Sequence, residues 1–194
     1  RDRILSALAK RELDIVVGAQ MIGKGLDFPG ITLVGIIDAD QLLAMPTFYA
    51  AERTFQLVLS AIGRAGRGQK PGEVLVQTNM ADHYAVACAI RQDYQSFYQE
   101  ELKFRKILRY PPFSRLVRIL ASGKRAETQA EKIAGIIRDA GLEVLGPAKL
   151  HPLRGEPRFQ VLIRGGNDLP ILVQKILRKI PQNVRVEPDP LWLG

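Results

Sequence analysis

Residues 31–38, with the sequence ITLVGIID, decide the fold class of the first part of the chain, because this run is apolar on both faces of an extended strand. Similar runs occupy residues 14–18 (DIVVG) and 73–78 (EVLVQT). Between the runs at residues 31–38 and 73–78, the apolar residues of segment 51–59 recur at helical spacing. Alternating strand and helix patterns of this kind predict one layered α/β domain with a parallel sheet over residues 1–80.

The next segment, residues 81–112, is predicted to be a helical connector. Residues 82–109 have a helical pattern with several aromatic side chains, whose spacing favours core packing over base stacking. Tyr110, Pro111 and Pro112 then mark a boundary, because Pro ends helices and stiffens the chain.

Residues 113–194 are predicted to form a small α+β domain. The pattern gives strand, helix, strand, strand, helix and strand at residues 114–121, 126–140, 142–145, 158–164, 167–180 and 183–187. This β-α-β-β-α-β order predicts an antiparallel sheet with two helices on one face. Residues 151–157 (HPLRGEP) are expected to form a loop between the two middle strands.

The net charge of +8 is concentrated in this third part. Residues 113–194 hold fourteen Lys and Arg against eight Asp and Glu, whereas the earlier parts are close to neutral. A basic surface of this kind suits a polyanion with salt-dependent affinity, although a solvated basic face has the same composition. No apolar stretch is long enough for a membrane span, and the single Cys88 excludes an intrachain disulfide and a Cys-rich zinc site. These features favour a cytoplasmic protein.

Within the basic part, one segment combines phosphate-seeking cations with an aromatic ring. The residues in or next to the expected loop are Lys149, Arg154, Arg158 and Phe159. The arginines suit phosphate oxygens and the Phe ring suits a base, so we expect DNA binding here. The alternative is a solvated hairpin. Neither of the two histidines stands in a metal-ligand pattern, and no metal site is expected.

Two motifs in the first part point to nucleotide chemistry. In residues 62–68 (IGRAGRG), Arg64 and Arg67 lie three apart on one helical turn, and their forks can hold phosphate oxygens and neutralise charge on a transferred γ-phosphoryl group. Residues 18–29 (GAQMIGKGLDFP) follow a strand and are rich in Gly, although they do not match the P-loop pattern. A basic helix end and a tight structural turn are the alternatives.

Together, in this order, the two motifs resemble motifs V and VI of superfamily 2 helicases. The wider sequence at residues 18–40, 51–78, 82–86, 108–119 and 186–190 resembles the C-terminal part of the PriA family of bacterial primosomal helicases. The resemblance covers nearly the whole chain. It implies the C-terminal half of a RecA-like helicase lobe over residues 1–80, followed by the C-terminal domain of the family.

The resemblance also implies roles for individual residues. Arg64 and Arg67 would be catalytic, reaching the γ-phosphate of ATP in the other lobe.

In motif V, Gly25 and Asp27 would lie near the nucleotide, and Gln20 and Lys24 would contact DNA. Ala19 and Ser60 depart from the family pattern, which commonly has Thr and Gln there, and these departures put the strength of unwinding in doubt.

The family implies ATP-dependent 3′-to-5′ DNA unwinding that restarts replication at stalled forks. It also implies ATP and Mg²⁺ as cofactors, zinc in the full-length protein but not in this segment, and a bacterial, nucleoid-associated location. The implied partners are branched and single-stranded DNA, the single-stranded DNA-binding protein and primosome loading proteins, without a membrane.

The chain lacks a Walker A lysine and an acidic Mg²⁺ motif, so we expect a fragment that is inactive by itself. The runner-up is a non-catalytic module that binds fork DNA and loads proteins, with its helicase activity lost. Another superfamily 2 ATPase, acting on RNA, fits the two motifs but not residues 113–194.

Overall fold

The computed structural model describes residues 2–10, 12–18, 30–65, 71–178 and 184–190. The chain divides into two compact units. The first comprises Arg1–Met45 and Tyr49–Glu101, and the second comprises Pro46–Phe48 and Leu102–Gly194. The domain boundaries predicted near residues 80 and 112 stay predictions.

The first unit contains a parallel two-stranded sheet. Its helices and strands are α1 (Asp2–Ala9), β1 (Leu33–Ile36), α2 (Asp40–Leu43), α3 (Ala50–Ile62), β2 (Glu73–Val76), α4 (Tyr84–Ile90) and the first part of α5 (Tyr94–Ile107). Strands β1 and β2 pair in parallel, with Leu33 opposite Glu73 and Ile36 opposite Val76. The α/β class predicted from the sequence is therefore confirmed.

The strand predicted at residues 14–18 is wrong. These residues adopt no regular structure, and Ile15 and Val17 are 82% and 92% exposed. A strand needs a neighbour to satisfy its backbone hydrogen-bonding groups, and among the described residues the parallel sheet consists of β1 and β2 alone.

The core of the first unit forms between α3, α4 and α5. One face of α3 buries Phe55, Val58 and Ala61. The Phe55 ring stacks on Phe97 of α5, with 4.1 Å between ring centroids. The core-packing prediction therefore holds for Phe97, whereas Tyr94 and Tyr98 are exposed.

The helix predicted over residues 82–109 is two helices, α4 and α5. Gln92, between them, has a φ of 55°, and this left-handed conformation ends α4. The Asp93 carboxylate then accepts the backbone N–H of Ser96 at 3.0 Å and so caps the start of α5.

The second unit is a four-stranded antiparallel sheet with two helices. After the end of α5 come β3 (Arg115–Ser122), α6 (Ala126–Asp139), β4 (Glu143–Leu153), β5 (Glu156–Gly165), α7 (Leu169–Leu177) and β6 (Val184–Pro188). The strand order is β4-β5-β3-β6, and every pair is antiparallel. The predicted β-α-β-β-α-β architecture is therefore confirmed.

The main core of the second unit lies between one face of the sheet and α6 and α7. Alternate residues of the two central strands face the helices, as the period of a strand requires. They are Val117, Ile119 and Ala121 of β3 and Phe159, Val161 and Ile163 of β5, packed with Ile133 and Ile137 of α6 and Leu169 and Val173 of α7. The inner sheet face and the helices therefore bury one another.

Ion pairs hold the edge strand β6 against β3. Arg118, whose side chain is only 8% exposed, donates to Glu187 at 2.9 Å from Nε, and Arg115 donates to Asp189 at 2.8 Å from Nε. Glu187 also accepts Arg185 Nε at 2.8 Å. Because Arg118 is permanently charged and buried, the Glu187 carboxylate compensates a charge that water cannot reach.

Replacement of Glu187 by Gln should destabilise the second unit by about 3 kcal/mol, because it leaves the buried Arg118 charge uncompensated. The matched control is Arg185→Gln, which removes only the pair to an arginine whose side chain is 78% exposed, and its cost should stay below about 1 kcal/mol. Urea unfolding of the two variants measures both values. Equal costs would contradict the structural role of the Arg118–Glu187 pair.

His83 caps the start of α4 in its neutral form. Its Nδ1 accepts the backbone N–H of Ala85 at 3.2 Å, and its ring stacks on Tyr84 with 4.6 Å between centroids. Burial lowers the pKa of His83 below the ordinary value of 6.5, and the nearby Glu101 carboxylate raises it by less. A protonated Nδ1 could not accept the bond, so the cap is lost on protonation.

Stability from this cap should be present above pH 6.5 and lost as the pH falls through the lowered pKa of folded His83. His83→Asn keeps a capping acceptor that does not titrate. Thermal unfolding at about pH 7.5 and about pH 5.5 should therefore show a smaller loss of stability in the variant than in the parent chain. The same loss in both proteins would exclude His83 as the titrating group.

Candidate nucleotide and nucleic-acid sites

Arg64 lies on a helical turn that extends α3. Its backbone N–H donates to Ala61 O at 3.0 Å, and Gly63 N–H donates to Leu59 O at 3.0 Å. The side chain is half-buried. Because Phe55, Val58 and Ala61 fix α3 in the core, a well-packed helix sets the backbone position from which the permanently charged Arg64 side chain extends.

The other predicted residues of the nucleotide site lie outside the described residues. These are Gln20, Lys24, Gly25 and Asp27 of motif V, and Arg67 of motif VI. Their assignments stay predictions.

Asp40, which sequence reasoning missed, joins the carboxyl ends of β1 and β2. Its carboxylate accepts the backbone N–H of Asn79 at 2.8 Å, the Asn79 side-chain amide at 3.0 Å and the Thr78 hydroxyl. The hydrogen bond from Thr78, followed by that from the Asn79 backbone, lowers the pKa of Asp40. The carboxyl ends of parallel strands are common ligand-binding edges, and Asp40 holds this edge together as a carboxylate.

The loop predicted at residues 151–157 is wrong, because these residues form the turn end of a β-hairpin. Strand β4 continues to Leu153, which pairs with Glu156, the first residue of β5. Arg154 and Gly155 form the two-residue turn, with φ values of 53° and 80°. Two left-handed residues match the twist of a tight hairpin, and Gly155 adopts this conformation without strain. The sequence pattern did not predict the hairpin, because Pro152 and Gly155 are typical of a loop.

The four predicted DNA-binding residues occupy different environments. Lys149 and Arg154 are exposed, and Arg158 is half-buried between Leu150 of β4 and Ser122 of β3. Phe159 is 9% exposed and belongs to the core beneath α6 and α7. The alternation of strand β5 turns Phe159 inward, so its predicted role as a stacking ring does not fit the structure.

The hairpin projects past the rest of the sheet. Ser122, which pairs with Arg158, is the last residue of β3. Residues 151–157 therefore continue past the last β3 pair as a short two-stranded ribbon, whose pairing is irregular between Leu150 and Leu153. Gly123 N–H still donates to Pro157 O at 3.0 Å, so the part beyond this bond is the Leu153–Glu156 pair with its turn, roughly 5 Å long at the rise of an antiparallel strand. We call residues 151–157 the ribbon.

Two further cations lie at the base of the ribbon and were missed from the sequence. Lys124 and Arg125 follow β3 after Gly123 and are exposed. The signal that could have found them is the dibasic pair between the end of a strand and the start of a helix. We define the basic end of the sheet as Lys124, Arg125, Lys149, Arg154 and Arg158. No side chain of this set has an ion-pair or hydrogen-bond partner within the described part of the chain.

Arginines at the opposite end of the sheet are paired with acids. Arg109 contacts Glu143 at 3.0 Å, and Arg164 lies 3.8 Å from the same carboxylate. Arg115 is paired with Asp189. The second unit is therefore electrostatically polarised, with compensated charge at one end and uncompensated positive charge at the other.

The described ranges contain no cluster of three or more His, Cys, Asp or Glu side chains that could hold a metal ion. Among the helices in those ranges, none is long and apolar enough to cross a bilayer.

Two family models match the chain. The helicase conserved C-terminal domain matches residues 1–69, and the primosomal protein N C-terminal domain matches residues 106–191. The first match includes motif V and Arg64, and the second includes the whole antiparallel sheet and the basic end.

Three similar proteins are each named replication restart protein PriA. The protein of Bacillus subtilis is 38% identical over 94% of this chain and 24% of its own length. That of Treponema pallidum is 40% identical over 92% of this chain and 29% of its own length. The Chlamydia pneumoniae protein is 32% identical over 96% of the chain and 27% of its own length. The chain thus spans about a quarter of these relatives.

Proposed function

Since the chain belongs to the PriA family of replication restart proteins, we propose that it forms the C-terminal part of an ATP-dependent DNA helicase. The helicase unwinds DNA in the 3′-to-5′ direction at stalled or abandoned replication forks and prepares them for primosome assembly. One observation carries this proposal. The same chain contains a match to the helicase C-terminal domain, in which Arg64 lies at the end of a packed helix, and a second domain with a cationic surface.

In this proposal Arg64 and Arg67 are the catalytic residues of the chain. A guanidinium close to the γ-phosphate stabilises the negative charge that develops during phosphoryl transfer. The packing of α3 supports this role for Arg64, because a catalytic charge is effective only when its position is fixed before the reaction.

The remaining parts of the ATP site are proposed by similarity to the family. Gly25 and Asp27 lie near the nucleotide, and Gln20 and Lys24 contact the DNA strand. ATP with Mg²⁺ is the nucleotide substrate, and the phosphate cradle and Mg²⁺ ligands lie in parts of the protein outside these 194 residues. Zinc in the full-length protein is likewise proposed by similarity to the family; residues 1–194 hold a single Cys, too few for a Cys-rich zinc site.

We also propose a role for each of three segments of the chain. Residues 1–80 are the C-terminal portion of the second helicase lobe, residues 81–112 are a connector, and residues 113–194 are the basic DNA-binding domain. Branched and single-stranded DNA, the single-stranded DNA-binding protein and the primosome loading proteins are the proposed partners. The proposed location is the bacterial cytoplasm, at the nucleoid.

A second candidate function is a non-catalytic module that binds forks and loads proteins. Ser60 favours it, because this exposed position on α3 commonly holds Gln in the family and lies one helical turn before Arg64. Ala19, which replaces Thr in motif V, favours it as well. The missing hydroxyl at Ala19 and the shorter hydrogen-bonding group at Ser60 weaken the link between hydrolysis and unwinding, whereas Arg64 and Arg67 keep the charge needed at the phosphate.

Arg64→Ala and Arg67→Ala in the full-length protein should each lower DNA-stimulated ATP turnover by about 10³-fold, as expected for an arginine that stabilises the transferred phosphoryl group. Arg64→Lys keeps the charge without the planar fork and should recover only part of the rate. The control is Arg3→Ala, at an exposed arginine of α1, which should leave turnover unchanged.

Steady-state ATP hydrolysis with and without fork DNA measures these effects. Turnover retained by the Arg64→Ala and Arg67→Ala proteins would overturn the catalytic assignment. A parent protein that binds forks without hydrolysing ATP would favour the non-catalytic module.

A further inference from the structure

The basic end of the sheet is built from charge, and in its segments the exposed rings are limited to the imidazole of His151. Residues 122–125 and 149–159 contain five Lys or Arg and one Glu, with no Tyr or Trp. Their one Phe, Phe159, is in the core. Proteins that bind single strands combine a basic groove with aromatic side chains on which bases stack. Apart from the small His151 ring, this surface offers the cations without a stacking platform of Phe, Tyr or Trp, so its chemistry suits a phosphate backbone whose bases stay paired.

The shape of the basic end also suits a duplex. The ribbon is two strands wide, and a two-stranded β-ribbon fits the major groove of B-DNA, which is about 12 Å wide. Arg154 lies in the turn at its tip. At its base, Lys149 and Arg158 lie on adjacent strands, and Lys124 and Arg125 follow the next strand. Lys149, which pairs with Phe159, lies on the helix face of the sheet and Arg158 on the other face, so the cations flank the ribbon on both sides.

The cations of the basic end are also available to a ligand. The described residues provide no acid partner for any of the five, whereas Arg109, Arg115 and Arg164 at the other end are paired with Glu143 or Asp189. An unpaired surface cation can neutralise a phosphate and release counterions without first breaking an ion pair.

We propose that the basic end, with the ribbon at its centre, binds the phosphate backbone of a duplex arm of DNA. This inference rests on the proposed function, since it assigns one part of a fork to one surface of the chain. The sequence predicted a contact with the bases of a single strand, for which Phe159 was the stacking ring. The present inference replaces it by a contact with the backbone phosphates of a double strand. It also adds Lys124 and Arg125 to the contact.

The test uses a variant of the 194-residue chain with Lys149→Gln, Arg154→Asn and Arg158→Gln. Asn tolerates the left-handed conformation of position 154 and keeps the hairpin turn. The control, Lys132→Gln with Lys175→Gln and Arg178→Gln, removes the same three charges from exposed positions on or next to α6 and α7. Circular dichroism and thermal unfolding verify that both variants are folded.

Fluorescence anisotropy then measures binding to a duplex, to a single strand of equal length and to a fork, over a range of salt concentrations. For the ribbon variant, duplex and fork affinity should fall at least about tenfold at low salt, and the logarithmic salt slope should fall by about 2 to 3, close to 0.9 for each lost phosphate contact. Single-strand affinity of this variant, and duplex affinity of the control, should change by less than about threefold.

Two results would overturn the duplex assignment while leaving DNA binding intact. One is a loss of single-strand affinity as large as the loss of duplex affinity, and the other is an equal loss of duplex affinity in the control variant. Unchanged binding of all three DNAs by the ribbon variant would remove the basic end from the contact. A parent chain that binds none of the three DNAs would overturn the DNA-binding part of the proposed function as well.

A second variant keeps the inference testable if the hairpin substitutions prevent folding. Lys124→Gln with Arg125→Gln changes only exposed side chains before α6. It should lower the duplex salt slope by about 1 to 2 and leave single-strand binding within about threefold. An unchanged duplex slope in this variant would contradict the extended contact.

Discussion

Burial of one face of β3 and β5 against α6 and α7 is the interaction on which the second unit depends. Because neighbouring strand residues point to opposite faces, placing Val161 and Ile163 in the core also places Phe159 there and directs Arg158 to the other face. A shift of one residue would exchange the two sets and expose the apolar one. Core packing therefore fixes which side chains are available to a ligand.

Charge in the second unit follows from the same arrangement. Towards the start of β3, the arginines are compensated by acids and serve the fold, as Arg118 does with Glu187 of β6. At the other end the hairpin extends past the last residue of β3, and its cations have no acid partners among the described residues. Five of the fourteen Lys and Arg side chains of residues 113–194 thus form one surface with the chemistry of a phosphate contact.

The sequence predicted the architecture well, because periodicity records which face of each element is buried. It failed at residues 14–18, where an apolar run has no neighbouring strand among the described residues, and at residues 151–157, where turn-forming residues lie in a hairpin. In the basic site, charge could be read from the sequence for Arg154 and Arg158. The inward direction of Phe159 required the register of β5, and the role of Asp40 required contacts across 39 residues of chain.

The most direct test of this account is an amide NMR titration of the 194-residue chain with a short duplex. We predict chemical-shift changes at residues 124–125 and 149–158, with little change along the outer faces of α6 and α7. Changes centred on those helices, or on residues 94–107, with none in the ribbon, would contradict the account, because DNA would then bind outside the basic end.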